Sequence, residues 1–326
     1  MAEYKGIKGF QVQTRTEDPS DGIAGDFYYN SSTGQFKTVN SGGLPTATWS
    51  SGGALNTTRS QLGGTGILTA SLAMGGSAPP GNQVVTESYN GTAWTEVADM
   101  GTARRKLGQG GLYTNAVIFG GQGSSTNMGN TETWNGSAWS ETTDLNTARK
   151  QIRGTGASST SAIGSGGVNP GPVTGITEVW DGSSWTEVND LNTARQNGMM
   201  AGIVTAALYS GGGTPPPTDK VEQWDGSSWT EVGDLNTPRG YGGGAGTYTD
   251  SLVIGGSNPG VVAVTEAWDG SSWTELADLA TARSDGGGDG ADSSSAIYFG
   301  GYTTADVAVT EEWTTADFVI KTVTTS

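Results

Sequence analysis

The chain contains neither cysteine nor histidine. Without cysteine there is no disulfide, no thiolate nucleophile and no cysteine-ligated metal. Without histidine the commonest general base and the commonest metal ligand are also missing. Positive charge is scarce: 16 Lys and Arg stand against 32 Asp and Glu, for a net charge of −16 and a pI near 4.2. Such a field repels nucleic acid and anionic membrane surfaces. The densest basic stretch, Arg104-Arg105-Lys106, is too short to form a groove. No nucleic-acid partner and no membrane insertion are expected. No apolar run approaches the ~18 residues of a spanning helix, and Met1–Lys8 lacks the apolar region of a signal peptide. A soluble chain that uses no signal peptide is expected.

Large apolar side chains are also few, with 33% hydrophobic residues beside 55 Gly. That balance could mean disorder, but the 11 Trp recur at regular spacing, and disordered chains are poor in aromatics. The spacing is the main signal. Trp224-Asp-Gly-Ser-Ser-Trp229-Thr-Glu-Val-Gly-Asp-Leu-Asn-Thr-Pro-Arg239 is one copy of a unit whose closing arginine returns as Arg59, Arg104, Arg149, Arg195, Arg239 and Arg283, every 44 to 46 residues. A period of ~40–50 residues that holds several short strands points to a propeller.

Each repeat reads as four strands. Strand a is Gly-rich, as in Leu62-Gly-Gly-Thr-Gly and Tyr241-Gly-Gly-Gly-Ala-Gly. Strand b is apolar and ends in a Gly pair, as in Val117-Ile-Phe-Gly-Gly121. Strand c carries Glu87, Glu132, Glu178, Glu222, Glu266 or Glu311, with an aromatic two residues later. Strand d starts at Trp94, Trp139, Trp185, Trp229 or Trp273, after an Asn-Gly or Asp-Gly hairpin connection. The Gly pair, the two spaced aromatics and the closing Arg together resemble the kelch repeat over residues 46–318. The resemblance implies an all-β, six-bladed kelch-like β-propeller of four-stranded blades. Small residues on strand a suit the crowding where blades converge. Trp49 precedes Arg59 as Trp94 precedes Arg104, so Thr46–Leu55 has the register of a strand d and is expected to complete the last blade. Asp317–Val323 competes for that place, because Phe318 follows Trp313 by the same step as Trp273 follows Trp268. The expected division is an attachment segment at 1–45, with a β-hairpin over Gly25–Val39 and a loop over Thr14–Gly25, and a propeller at 46–326.

The repeated Arg and Glu fit one structural contact per blade joint better than a ligand-binding ring of charge, since an active site is asymmetric. The paired acids Glu96/Asp99, Glu187/Asp190, Glu231/Asp234 and Glu275/Asp278 could suggest glycosidase chemistry. On an outermost strand they fit a solvated rim that blocks edge-to-edge pairing. The paired aromatics could stack on sugars, but their repetition favours packing between blades. Asp-Gly-Ser-Ser-Trp differs from the Asp-box of sialidases, because its Asp and Gly are adjacent. Galactose oxidase, a kelch-type enzyme, needs His and a Tyr–Cys crosslink around copper, and neither is possible here. No catalytic residue, metal site or cofactor is expected.

Function is expected where the blades differ. The b–c connections vary in length and chemistry, and by strand parity they share a face with the d–a connections. Their candidate binding residues are Pro79, Pro80, Asn82, Asn127, Asn169, Pro170, Pro215, Pro216, Asp219, Asn258 and Tyr302. The segment Gly25-Asp-Phe-Tyr-Tyr-Asn-Ser-Ser-Thr-Gly-Gln-Phe-Lys37 resembles the attachment region of bacteriophage tail proteins. Followed by Gly/Ser/Thr-rich kelch-like repeats, it is similar to structural proteins of marine phages, including those of cyanobacteria. That resemblance implies a non-enzymatic virion protein, such as a tail or tail-fibre component. Its first 45 residues would dock to other virion proteins or sister subunits in a homo-oligomer or multi-copy array, and its loop face would bind a host surface glycan or protein. An intracellular kelch-type interaction scaffold is the alternative, and a carbohydrate-active enzyme fits least.

Overall fold

The computed structural model describes residues 12–20, 24–41, 46–213, 216–315 and 318–323. Among them there is no α-helix, and hence none long and apolar enough to cross a membrane. The chain divides into two compact units, Met1–Ala47 with Thr315–Ser326, and Thr48–Thr314.

The first unit is a four-stranded mixed sheet in the order β1, β2, β3, β30. β1 (Gln13–Arg15) runs parallel to β2 (Phe27–Asn30), which forms the hairpin with β3 (Gln35–Ser41). The short strand β1 lies inside the stretch expected to be loop. β30 (Phe318–Thr322) pairs antiparallel with β3, Val39 opposite Ile320. The last residues therefore leave the repeats after Thr314 and belong with the N-terminal hairpin, covering what would be an open sheet edge. The boundary expected between 45 and 46 falls after Ala47.

The second unit repeats one four-stranded antiparallel sheet. In the first sheet, β5 (Gly63–Ile67), β6 (Ala70–Met74), β9 (Thr86–Tyr89) and β10 (Trp94–Glu96) take positions a to d, and a small hairpin, β7 (Ser77–Ala78) with β8 (Gly81–Asn82), decorates its b–c loop. The second sheet holds β11 (Gly108–Leu112), β12 (Asn115–Phe119), β13 (Thr131–Trp134) and β14 (Trp139–Thr142). The third holds β15 (Arg153–Ser158), β16 (Ser161–Ser165), β17 (Thr177–Trp180) and β18 (Trp185–Val188). The fourth holds β19 (Met199–Ile203), β20 (Ala206–Ser210), β21 (Val221–Trp224) and β22 (Trp229–Glu231). The fifth holds β23 (Gly243–Gly246), β24 (Ser251–Ile254), β25 (Thr265–Trp268) and β26 (Trp273–Glu275). In the sixth, β27 (Gly287–Asp292), β28 (Ser295–Phe299) and β29 (Thr310–Thr314) take β4 (Thr48–Ser51) as their fourth strand, with Trp49 opposite Trp313. Thr46–Leu55, and not Asp317–Val323, thus supplies the strand at position d. The architecture is all-β with repeated four-stranded sheets, compatible with a β-propeller.

Burial explains the sequence pattern. The b strands are sandwiched on both faces, so Ala116, Val117, Ile118 and Phe119 are wholly buried and read as an unbroken apolar run. Core layers form between neighbouring sheets. Leu72 and Met74 pack with Leu107, Ile118 and Trp134 of the next sheet, and Leu62 and Trp94 pack with Ile297 and Phe299 of the sixth. The a strands contact one another in the order β5, β11, β15, β19, β23, β27, and β27 contacts β5 again. Glycine permits this approach: a Cβ on Gly110 would lie 3.0 Å from the Gly156 nitrogen on the adjacent strand.

Candidate functional site

The repeated polar residues are absorbed by the joints between sheets. Each arginine of the d–a connection forms a buried ion pair with the strand-c glutamate of the sheet it enters, at 2.7 Å for Arg149–Glu178 and 2.8 Å for Arg195–Glu222. Arg59–Glu87, Arg104–Glu132, Arg239–Glu266 and Arg283–Glu311 pair in the same way. Burial pulls the Arg59, Arg104, Arg149 and Arg239 guanidinium groups down, and the partner glutamates oppose it. Each glutamate also accepts backbone N–H groups from the connection, as Glu178 does from Asn146 at 2.8 Å. The arginine carbonyl in turn accepts the second N–H of the preceding Gly pair, from Gly76 to Arg104 (2.9 Å) through to Gly301 and Arg59 (3.0 Å).

The strand-d tryptophans tie each sheet to the previous one. The indole N–H of Trp139, Trp185 and Trp229 donates to the Thr86, Thr131 and Thr177 hydroxyls, and that of Trp49 to Thr265. Trp94 of the first sheet donates to Thr310 of the sixth at 3.0 Å. Trp273 meets Val221 where the others meet Thr, and donates to the Gly233 carbonyl at 2.9 Å instead. Each c–d aromatic pair packs tilted, with ring centroids 4.9 to 5.4 Å apart. The four acid pairs of strand d are exposed.

Two residues beyond each arginine lies a feature that no glycine announces. Gln61, Lys106, Gln151, Asn197, Tyr241 and Asp285 all adopt positive φ, between 54° and 64°. Their backbones form a closed cycle of hydrogen bonds in which each N–H donates to the carbonyl of the preceding member, and Gln61 donates to Asp285 at 2.7 Å. Arg105, Lys106, Lys150 and Arg153 cluster near this cycle together with the Asp285 carboxyl. Burial, followed by the charge of Arg105, holds the Lys106 ammonium below its usual range; Lys150 and Arg153 add to this and Asp285 opposes it.

The b–c loops lie at the same end, bridged to the d–a segments at pairs such as Arg105 with Gln122 and Ser284 with Tyr302. Pro80, Asn82 and Asn127 come together in one groove of about 830 Å³, which Arg105 and Asn130 also line. Inside it the Asn82 and Asn127 side-chain amides donate to the Gln122 and Val168 carbonyls of the neighbouring loops, at 2.8 and 2.7 Å. Those two amides brace adjacent loops, while the Arg105 Nε is buried without a partner. Pro216 and Asn258 line a second groove of about 470 Å³ with Tyr241 and Asp285. Pro79, Pro170 and Tyr302 are exposed and Asn169 is half-buried, each apart from these grooves. Asp219 accepts the Leu235 N–H through its carbonyl at 2.9 Å. Pro215 lies outside the described residues.

At the other end of the strands, all six a strands line a cavity of about 520 Å³. Ile67, Leu112 and Ile203 are among its lining residues and are exposed. Most of its wall is glycine and backbone, and one lining residue, Asp289, is acidic. Asp289 occupies the position held by Thr65, Gly110, Thr155, Ala201 and Ala245 in the other sheets. It accepts the N–H groups of Gly66 (2.8 Å) and Gly290 (2.7 Å), yet burial pushes its carboxyl up to about 7. Asp289 is not among the residues expected from sequence to carry function. The available signal was an acid among small side chains at one repeat position.

Among the described residues no group of three or more acids is placed to hold a metal ion. No protein-family model matches the chain, and no curated protein matches it.

Proposed function

We propose that the chain is a six-bladed, kelch-like β-propeller that serves as a non-enzymatic structural and binding component of a virion, attached through its first unit. The carrying observation lies in that unit. Both ends of the repeat array feed one small sheet, whose hairpin holds Phe27 and Phe36 stacked at 5.5 Å while each stays 45% exposed. Tyr29 packs on Phe36 at 5.1 Å and extends the apolar patch. Beneath, Asp18 locks the hairpin by accepting from Tyr28 (2.8 Å) and Asn30 (2.7 Å). A rigid aromatic surface of this kind suits docking to another virion protein or to a sister subunit.

Closure of the propeller is supported by the hydrogen bonds of the sixth sheet to the first: the backbone bond from Gly301 to Arg59 repeats at every other joint, and the Trp94–Thr310 bond at four of the other five. The loop end is the proposed receptor-binding face. Arg105, which lines the groove with Asn82 and Asn127 and has Lys106 close by, favours an acidic host-surface glycan there in a chain of net charge −16.

The test is immunogold labelling of intact particles with antibody to the full chain, on virus carrying the native gene or a Phe27→Ser/Phe36→Ser double variant. Native particles are expected to be labelled. The variant is expected to be absent from purified particles although the free protein stays folded by circular dichroism. Unlabelled native particles overturn the virion assignment, and normal incorporation of the variant overturns the docking surface.

A further inference from the structure

The glycine-walled cavity lies at the opposite end of the strands from the loop face, and its chemistry is different. It is deep, glycine-walled and apolar at the rim, and about 520 Å³ falls within the ~300–1,000 Å³ of small-molecule sites. No lysine or arginine lines it. Within the repeats every Lys and Arg sits in or beside the d–a and b–c connections, at the far ends of the strands. The turns at the cavity's own end carry Asp181, Asp225, Asp250, Asp269 and Asp292. Among the described residues, this end of the strands therefore carries acids and no cation of the repeats.

Asp289 is the only ionisable carboxyl in the wall, and it faces no counter-cation. Without a counter-cation, a carboxyl in an apolar recess is driven toward its neutral form. Five of the six sheets manage with Thr, Gly or Ala at this position. A carboxylate offers about four acceptor sites, and the Gly66 and Gly290 N–H groups occupy two. The neighbouring Thr65 hydroxyl, shared with the Gly111 carbonyl, is a third partner of this carboxyl. About one acceptor site remains, and a cationic donor there would favour the ionised carboxyl.

We propose that this cavity binds a primary alkylammonium, whether a free amine or a lysine side chain, with the ammonium on Asp289 and the alkyl stem against Ile67, Leu112 and Ile203. The apolar rim removes the stem from water, and the carboxylate supplies orientation and selectivity against neutral analogues.

Isothermal titration calorimetry on the full chain tests this with three probes: hexylammonium chloride, hexanol and Nα-acetyl-lysine methylamide. Hexylammonium is expected to bind at least tenfold more tightly than hexanol, and Asp289→Asn is expected to weaken it at least tenfold. Leu112→Lys, at an exposed rim position, tethers a competing ammonium over the mouth and is expected to abolish binding, which keeps the test usable if the Asn variant fails to fold. Binding of the lysine derivative alongside hexylammonium supports the site with a lysine side chain as its source. Binding of hexylammonium alone supports it with a free amine. Equal binding of hexanol, binding unaffected by either variant, or no binding of either cation overturns it.

Discussion

Replacing Thr310 by Val probes whether the sixth sheet is joined to the first as firmly as any other pair. The Thr310 hydroxyl accepts the Trp94 indole N–H at 3.0 Å across that junction, with Thr310 1% and Trp94 5% exposed. Valine fills nearly the same space and deletes only the acceptor, so the main effect is a buried donor left unsatisfied. That costs about 1–3 kcal/mol. For a domain of this size each kcal/mol moves Tm by roughly 2–4 °C, so a fall on the order of 2–12 °C is expected. Thr131→Val is the reference, because Thr131 accepts from Trp185 in the same geometry at 3.0 Å in the middle of the array. Both variants should lose stability by similar amounts in urea unfolding followed by tryptophan fluorescence. The Val221 joint shows that this indole does not stay unpaired when its Thr is missing; there the loop carbonyl of Gly233 lies within reach. A loss of 1–3 kcal/mol for Thr131→Val with no change for Thr310→Val would mean that the first and last sheets are not held as a closed joint, and the argument would fail.

Two further outcomes follow from the joints and turns. Glu178→Gln leaves the Arg149 guanidinium buried and unpaired and should cost about 3–5 kcal/mol in urea unfolding, while Arg149→Met/Glu178→Met should recover most of it; an unchanged midpoint for the single variant would show that the pair is not buried. Asp181, Asp225 and Asp269 each accept two serine hydroxyls, that of the first serine weighing most, and two serine N–H groups, which lowers their pKa from 3.8 to about 2. A depressed folded pKa gives stability that is present above the unfolded value and lost as pH falls through the folded one, so these turns should weaken between pH 4 and 2. Carboxyl carbon NMR titration should place the three midpoints near 2, and midpoints at the ordinary aspartate value would refute the turn geometry.

The sequence exposed whatever the repeats share. Burial on both faces forces the b strands to be continuously apolar, and the Asn-Gly and Asp-Gly turns need a positive φ, found at Gly91, Gly136, Gly182, Gly226 and Gly270. Both leave composition signals. The cycle of left-handed residues left none, because Gln61, Lys106, Gln151, Asn197, Tyr241 and Asp285 hold positive φ through backbone bonds that tertiary contact alone creates. The destination of β30 was equally hidden. Its spacing from Trp313 matched a strand d, but Thr48–Ser51 occupies that edge, and the free edge of β3 remained for it.

The candidate site divided in the same way. Variable loops drew attention to one end of the strands, where Pro80, Asn82 and Asn127 do share a groove. Yet two of those side chains brace neighbouring loops, and the unpartnered donor beside them belongs to Arg105, which had been weighed only as part of a short basic run. In a repeat scaffold any residue present in every copy is explained by the joint it builds. Chemistry must then come from departures at an otherwise uniform position. Val221 is one such departure, and the scaffold absorbs it by giving Trp273 a different acceptor. Asp289 is another, and nothing in the wall neutralises it. A substitution the scaffold can absorb carries no functional information. An acid in a glycine-walled cavity, where neutral residues serve in five equivalent sheets, is not explained by any joint, and that is what singles out Asp289 for the proposed ligand.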